Sequence, residues 1–160
     1  MYLGVIKCIM QLQLSKGNRD KDFYIGASKP CLSHRLLSIK PPDIVGRLPR
    51  CLEDLKPWKV TELKNWLMHY ATAVLRKILN PLYLFHWSLL ITGIGILCGD
   101  SISDDDLRNA DDMLQDFVFL MAMFYGQQNA LQIFTCCSIL PIMFCKGDHY
   151  GHGAAFPSKV

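Results

Sequence analysis

Residues 61–78, TELKNWLMHYATAVLRKI, decide the fold class of this chain. Leu63, Trp66, Leu67, Tyr70, Ala71, Val74, Leu75 and Ile78 recur three and four positions apart, the spacing that lines one face of an α-helix. Thr61 stands where an N-cap is expected, and Arg76 and Lys77 put positive charge at the negative end of the helix dipole.

Toward the C-terminus the same grammar repeats. Asn80-Pro81 pairs a capping side chain with a proline at the first helical position, where its missing N–H costs nothing. The apolar run that follows reaches Cys98, and Gly99 offers a left-handed stop. Ser103 with Asp106 three residues on forms a capping box, and Asp104 to Asp106 sit at the positive end of a third helix. Leu107, Ala110, Leu114, Phe117, Val118, Met121 and Phe124 are its expected buried stripe, closed by Gly126. Residues 131–145 are apolar on every side, and periodicity there does not separate helix from strand.

Toward the N-terminus the pattern weakens. Residues 1–14 suit a short strand, and SKGNRDKD at 15–22 is polar and turn-forming. Gly26, Pro30, Gly46, Pro49 and the pair Pro41-Pro42 break up the next stretch and favour extended backbone, with a short helical turn near residues 32–38. The resulting expectation is a mainly α fold, a small helical bundle of three main helices with an extended N-terminal arm. Its divisions are a tail at 1–22, an extended basic arm at 23–60, the bundle at 61–145 and a flexible glycine-rich tail at 146–160.

Composition bounds the function classes. A chain of 160 residues with 51% hydrophobic and 19% charged residues has the means for one real core and excludes a disordered class. Seven cysteines (8, 31, 51, 98, 136, 137 and 145) form no regular framework. Lys7, Gln11 and Gln13 interrupt what a signal peptide would keep apolar, so the expectation is an intracellular protein, nuclear or cytoplasmic, with reduced thiols.

Charge is unevenly spread. Residues 1–79 carry 14 basic and 6 acidic side chains, a net +8, whereas residues 80–160 carry 3 and 8, a net −5. Such a front half suits phosphate, an anionic membrane or the chain's own acidic half. Lys40, Arg47, Arg50, Lys56, Lys59 and Lys64 form a phosphate-contacting stripe with Trp58 interleaved, although Trp58 and Trp66 also suit core anchors.

Other constellations have simpler readings beside the functional ones. Cys145, His149 and His152 have zinc-ligand types, with Cys136 or Cys137 available as a fourth; the plain alternative is incidental histidines in a tail. Asp104, Asp105, Asp106, Asp111, Asp112 and Asp116 lack the alternation and turn glycine of a calcium loop and suit a solvated helix face. His86 suits a core histidine with a backbone partner. Residues 78–99 and 117–145 carry no charge and define a rival reading, a small helical membrane protein with two spans. A soluble interaction module without any DNA role is the third reading. No Walker loop, dinucleotide fingerprint, nucleophile elbow or zinc-protease helix is present, and no cofactor is implied.

One resemblance covers residues 23–126. Phe23-Tyr24-Ile25-Gly26, Leu36-Leu37-Ser38-Ile39-Lys40-Pro41-Pro42 and Arg47-Leu48-Pro49-Arg50 come first. Trp58-Lys59, Glu62, Trp66-Leu67, Tyr70, His86, Asp100-Ser101-Ile102-Ser103 and Tyr125-Gly126 follow in order. Together they resemble the helical region of CACTA-type (En/Spm) transposases and of genes derived from them. The resemblance implies an enzyme family whose acidic site binds divalent metal and cuts and joins DNA. The aspartate-bearing segments of that family lie upstream of this region and are not in this chain, so the expectation is a non-enzymatic accessory domain. Its implied partners are DNA and other segments of a transposase-like protein. Phe134 and Ser138 stand where the family carries histidines. Gly147, Tyr150 and His152 keep the next stretch, but Pro157-Ser158-Lys159 follows Phe156 without the expected acid. A decayed or truncated copy, or a reading frame that shifts near the end, has this form.

Overall fold

The computed structural model describes residues 2–40, 49–53 and 55–137. In chain order the helices are α1 (Tyr2–Leu14), α2 (Lys29–Ser38), α3 (Val60–Asn65), α4 (Ala71–Leu75), α5 (Pro81–Leu97), α6 (Asp104–Tyr125) and α7 (Gln127–Cys137). Short 3-10 turns occupy Lys16–Asn18 and Gly26–Ser28, and a π-helical turn, Trp66–Tyr70, joins α3 to α4. The fold is mainly α, and among the described residues there is no strand.

The antiparallel hairpin of α5 and α6 is its largest unit. Asn80 caps α5, its Oδ1 accepting the Leu82 N–H at 3.1 Å, and Pro81 opens the helix. Ser103 Oγ accepts the Asp106 N–H at 3.1 Å while the Asp106 carboxylate accepts the Ser103 N–H at 3.0 Å, the reciprocal capping box. The helices close on each other at Gly93, where a Cβ would lie 3.0 Å from Leu114 Cγ and 3.4 Å from the Ala110 carbonyl. Gly126 ends α6 at φ +85°, a conformation that disfavours any side chain. Gly99 takes no such angle: Cys98 terminates α5 at φ −95°, ψ 0°. The buried stripe of α6 is Ala110, Phe117, Met121 and Tyr125. Leu107 is 47% exposed because it sits at the loop end of the hairpin, where Leu97 and Ile102 are exposed as well.

Residues 60–75 bury the face that their spacing predicts: Leu63, Trp66, Leu67, Tyr70, Ala71, Val74 and Leu75 are all core residues. Two details differ from expectation. The N-cap is Lys59 rather than Thr61, because the Glu62 carboxylate reaches back to accept the Lys59 N–H at 2.7 Å. The helix also widens, with the Ala71 N–H donating to the carbonyl of Trp66, five residues back. At its far end Arg35 of α2 donates to the carbonyls of Val74 (3.2 Å) and Arg76 (2.7 Å), satisfying groups that a helix C-terminus leaves open.

The N-terminal third departs most from expectation. Residues 2–14 are a helix rather than a tail or strand, and Val5, Ile6, Ile9, Met10 and Leu14 are at most 8% exposed. α1 packs against α3 on one side and α7 on the other. The helical turn expected near residues 32–38 is a full helix, α2, which buries Leu32 and Leu36 completely, so the arm is not extended there. Residues 49–53 and 55–59 contain no helix, yet Leu52, Leu55 and Trp58 enter the core and the Leu52 N–H donates to Ser33 Oγ at 3.0 Å.

The rival reading placed membrane spans at residues 78–99 and 117–145. No helix among the described residues is long and apolar enough to cross a membrane. α5 is apolar, but its 17 residues bury His86, Trp87, Leu90, Gly93 and Ile94 within the fold. The second stretch is divided at Gly126 between α6 and α7, and its part beyond residue 137 lies outside the described residues.

Removal of residues 1–14 tests the placement of α1. Five buried apolar side chains contribute roughly 1.5–3 kcal/mol each, a sum that rivals the whole stability of a domain, about 5–15 kcal/mol. The truncated protein should lose its cooperative melting transition by circular dichroism; a transition within a few degrees of the full chain's contradicts the packing described.

Candidate nucleic-acid interface

Of the basic residues expected to contact phosphate, those described are on the surface, and Leu52, Leu55 and Trp58 between them are buried. Lys40 is exposed just beyond α2, Lys56 and Lys59 are exposed ahead of α3, and Lys64 is exposed on α3. Arg50 is also on the surface, with its Nε 2.7 Å from Glu62 Oε1. That contact is an ion pair between a half-exposed guanidinium and a carboxylate whose side chain is 5% exposed. Arg47 lies outside the described residues.

The structure adds a cation that the sequence reading assigned to a tail. Lys7 Nζ on α1 donates to the Lys56 carbonyl at 3.1 Å, bringing its charge beside the stripe. Trp58 is 6% exposed and meets Trp66 edge-to-face at 6.0 Å. It is a core anchor and offers no open face for stacking a base. The ion pairs described are Lys21–Asp20, Arg50–Glu62 and Arg108–Asp105, and none of these ties the basic half to the acids of α6. Asp104, Asp105, Asp112 and Asp116 of α6 are exposed, and the carboxyl of Asp106 is held below the ordinary range by its hydrogen bonds to Ser103.

Cys145, His149 and His152 lie outside the described residues, and nothing structural bears on them. Among the described residues no group of three His, Cys, Asp or Glu side chains could hold a metal ion. Cys31, Cys51 and Cys98 carry free, exposed thiols.

His86 is 1% exposed, its Nε2 2.8 Å from the Phe117 carbonyl and its ring stacked on Phe117 with centroids 4.2 Å apart. Nε2 donates in the tautomer that this carbonyl selects. Burial lowers its pKa to about 4, outweighing the opposing effect of the backbone bond. A neutral imidazole sealed among Phe117, Phe124 and Tyr125 stabilises the fold and has no access to a substrate.

Comparison with protein-family models, curated proteins and solved structures finds no match to this chain.

Two outcomes follow from this geometry. Arg50→Ala should destabilise the protein by about 1–2 kcal/mol in urea titration, less than a fully buried pair costs because the guanidinium is half in water. Lys59→Ala and Lys64→Ala should change stability by less than about 0.5 kcal/mol, and an equal loss for all three would contradict the ion pair. For His86 the folded pKa lies below the ordinary 6.5, so the unfolded chain binds the extra proton first as pH falls. Its contribution is complete above pH ~6.5 and lost progressively toward pH ~4. Unfolding free energy should drop by about 2 kcal/mol between pH 7 and pH 5, and His86→Phe should flatten that slope.

Proposed function

We propose that this chain is a transposase-derived helical accessory domain without a catalytic site of its own, which holds DNA weakly and independently of sequence. The observation that carries the reading is the exposure of Lys40 just beyond α2, of Arg50, Lys56 and Lys59 ahead of α3 and of Lys64 on α3, with Lys7 beside Lys56. Cations on the surface of a folded chain can meet a phosphate row without unfolding anything, and their contact releases condensed counterions. The burial of Trp58 argues for phosphate contact rather than base reading. The order of motifs from Phe23 to Gly126 supports the transposase ancestry, and the same ancestry favours an intracellular site of action, in nucleus or cytoplasm.

Anisotropy of a labelled duplex of about 20 base pairs, titrated at about 50 and 200 mM salt, tests this. Affinity should fall steeply, with a log–log slope near −0.9 per phosphate neutralised. Replacing Lys40, Lys59 and Lys64 with alanine should flatten that slope by about two to three units while leaving the melting curve unchanged. An absence of binding at the lower salt would sink the nucleic-acid reading.

A further inference from the structure

α6 presents two different faces. Its inner face packs on α5, while its outer face carries Asp105, Asp112, Asp116, Phe119 and Met123 at steps of seven, four, three and four. Those steps place all five on one ridge along the helix. All five are exposed, Phe119 to 70% and Met123 to 64%. Single exposed apolar residues are ordinary, but two large ones a turn apart, continuing an acidic row, form an edge suited to a partner with cations beside apolar surface.

α3 carries the reciprocal arrangement. Val60 is 65% exposed, Lys64 follows one turn later on the same side, and Lys59 is exposed at the N-cap. Leu37, 57% exposed, and Lys40 repeat the pairing at the end of α2. Among the described residues Asp112 and Asp116 form no ion pair with this basic surface within one copy, although the two halves of the chain differ as +8 and −5.

We propose that a second copy of this chain is the occupant: the acidic and apolar ridge of α6 docks head to tail on the lysine and valine face of α3 in the next molecule. Such an interface joins two different patches, so each copy keeps one free patch of either kind and association continues beyond a pair or closes into a ring. Attraction between unlike patches sets the register, and Phe119 and Met123 supply the apolar contact. This goes beyond the DNA reading and does not rest on it, although DNA and a second copy would compete for Lys59 and Lys64.

Sedimentation velocity on the full chain, without nucleic acid, tests the proposal. Wild type should gain mass with concentration at about 50 mM salt and associate at least about tenfold more weakly at 500 mM. The double variants D112K/D116K and K59E/K64E should each be monomeric, and an equimolar mixture should regain association because each retains the patch that the other lacks. Circular dichroism checks that both are folded. Should either fail to fold, F119S/M123S, whose changes lie outside the core, should be monomeric at low salt. A wild type that stays monomeric at low salt, a mixture that stays monomeric with both variants folded, or an F119S/M123S protein that associates like wild type would overturn the interface.

Discussion

The side-chain amide of Gln13 joins three helices inside the core. Its Nε2 donates to the Tyr125 hydroxyl at 2.9 Å, and its Oε1 accepts the Trp87 indole N–H at 3.3 Å. Its own carbonyl accepts the Ile25 N–H at 2.9 Å, which fixes the entry to α2. An amide that is 1% exposed carries a desolvation cost that only satisfied donors and acceptors offset, so α1, α5 and α6 hold one relative placement or lose these bonds together. Burial also pushes the Tyr125 phenol upward, keeping it a neutral partner. Phe23, Tyr83 and His86 pack around it edge-on and tilted, and Phe124 meets Tyr83 and His86 in turn, so the polar joint lies in an aromatic shell.

That joint explains why the basic segment can be surface and core at once. With α1 seated, Lys7 reaches Lys56 and the segment before α3 has a wall to press against. Leu52, Leu55 and Trp58 point inward at steps of three, leaving Arg50, Lys56 and Lys59 on the outside. Glu62 binds the segment twice, through the Lys59 N–H and through Arg50. One carboxylate thereby acts as helix cap and as tether for the strip of positive charge.

What the sequence made legible was local chemistry. Asn80-Pro81, the Ser103 and Asp106 pair, Gly126 and the 63–75 stripe each obey a rule that operates within a few residues, and each appears in the structure. α1 was hidden for a physical reason. Val5, Ile6, Ile9, Met10, Gln13 and Leu14 do follow helical spacing, but Leu3, Cys8 and Leu12 fill the other positions. They are partly buried because α1 is covered on two sides, and a helix apolar all round shows little period. The π turn left no trace either, since Trp66, Leu67 and Tyr70 across it are all buried as an unbroken helix would have them. Of the candidate site, exposure of the lysines followed from the proline-broken segment. The partnership of Arg50 with Glu62 and the arrival of Lys7 depend on tertiary contacts that no spacing encodes.

The Gln13–Tyr125 bond spans 112 residues, so most of the chain must exist before the core can close. During synthesis at roughly 5–20 residues per second, α1 leaves the ribosome on the order of ten seconds before Tyr125 does. Throughout that interval its isoleucines, valine and methionine face water, and a helix of this length is only marginally stable alone. Nascent α1 therefore waits with its apolar side chains unshielded, and closing so long a loop makes the last docking step slow relative to bundles of neighbouring helices.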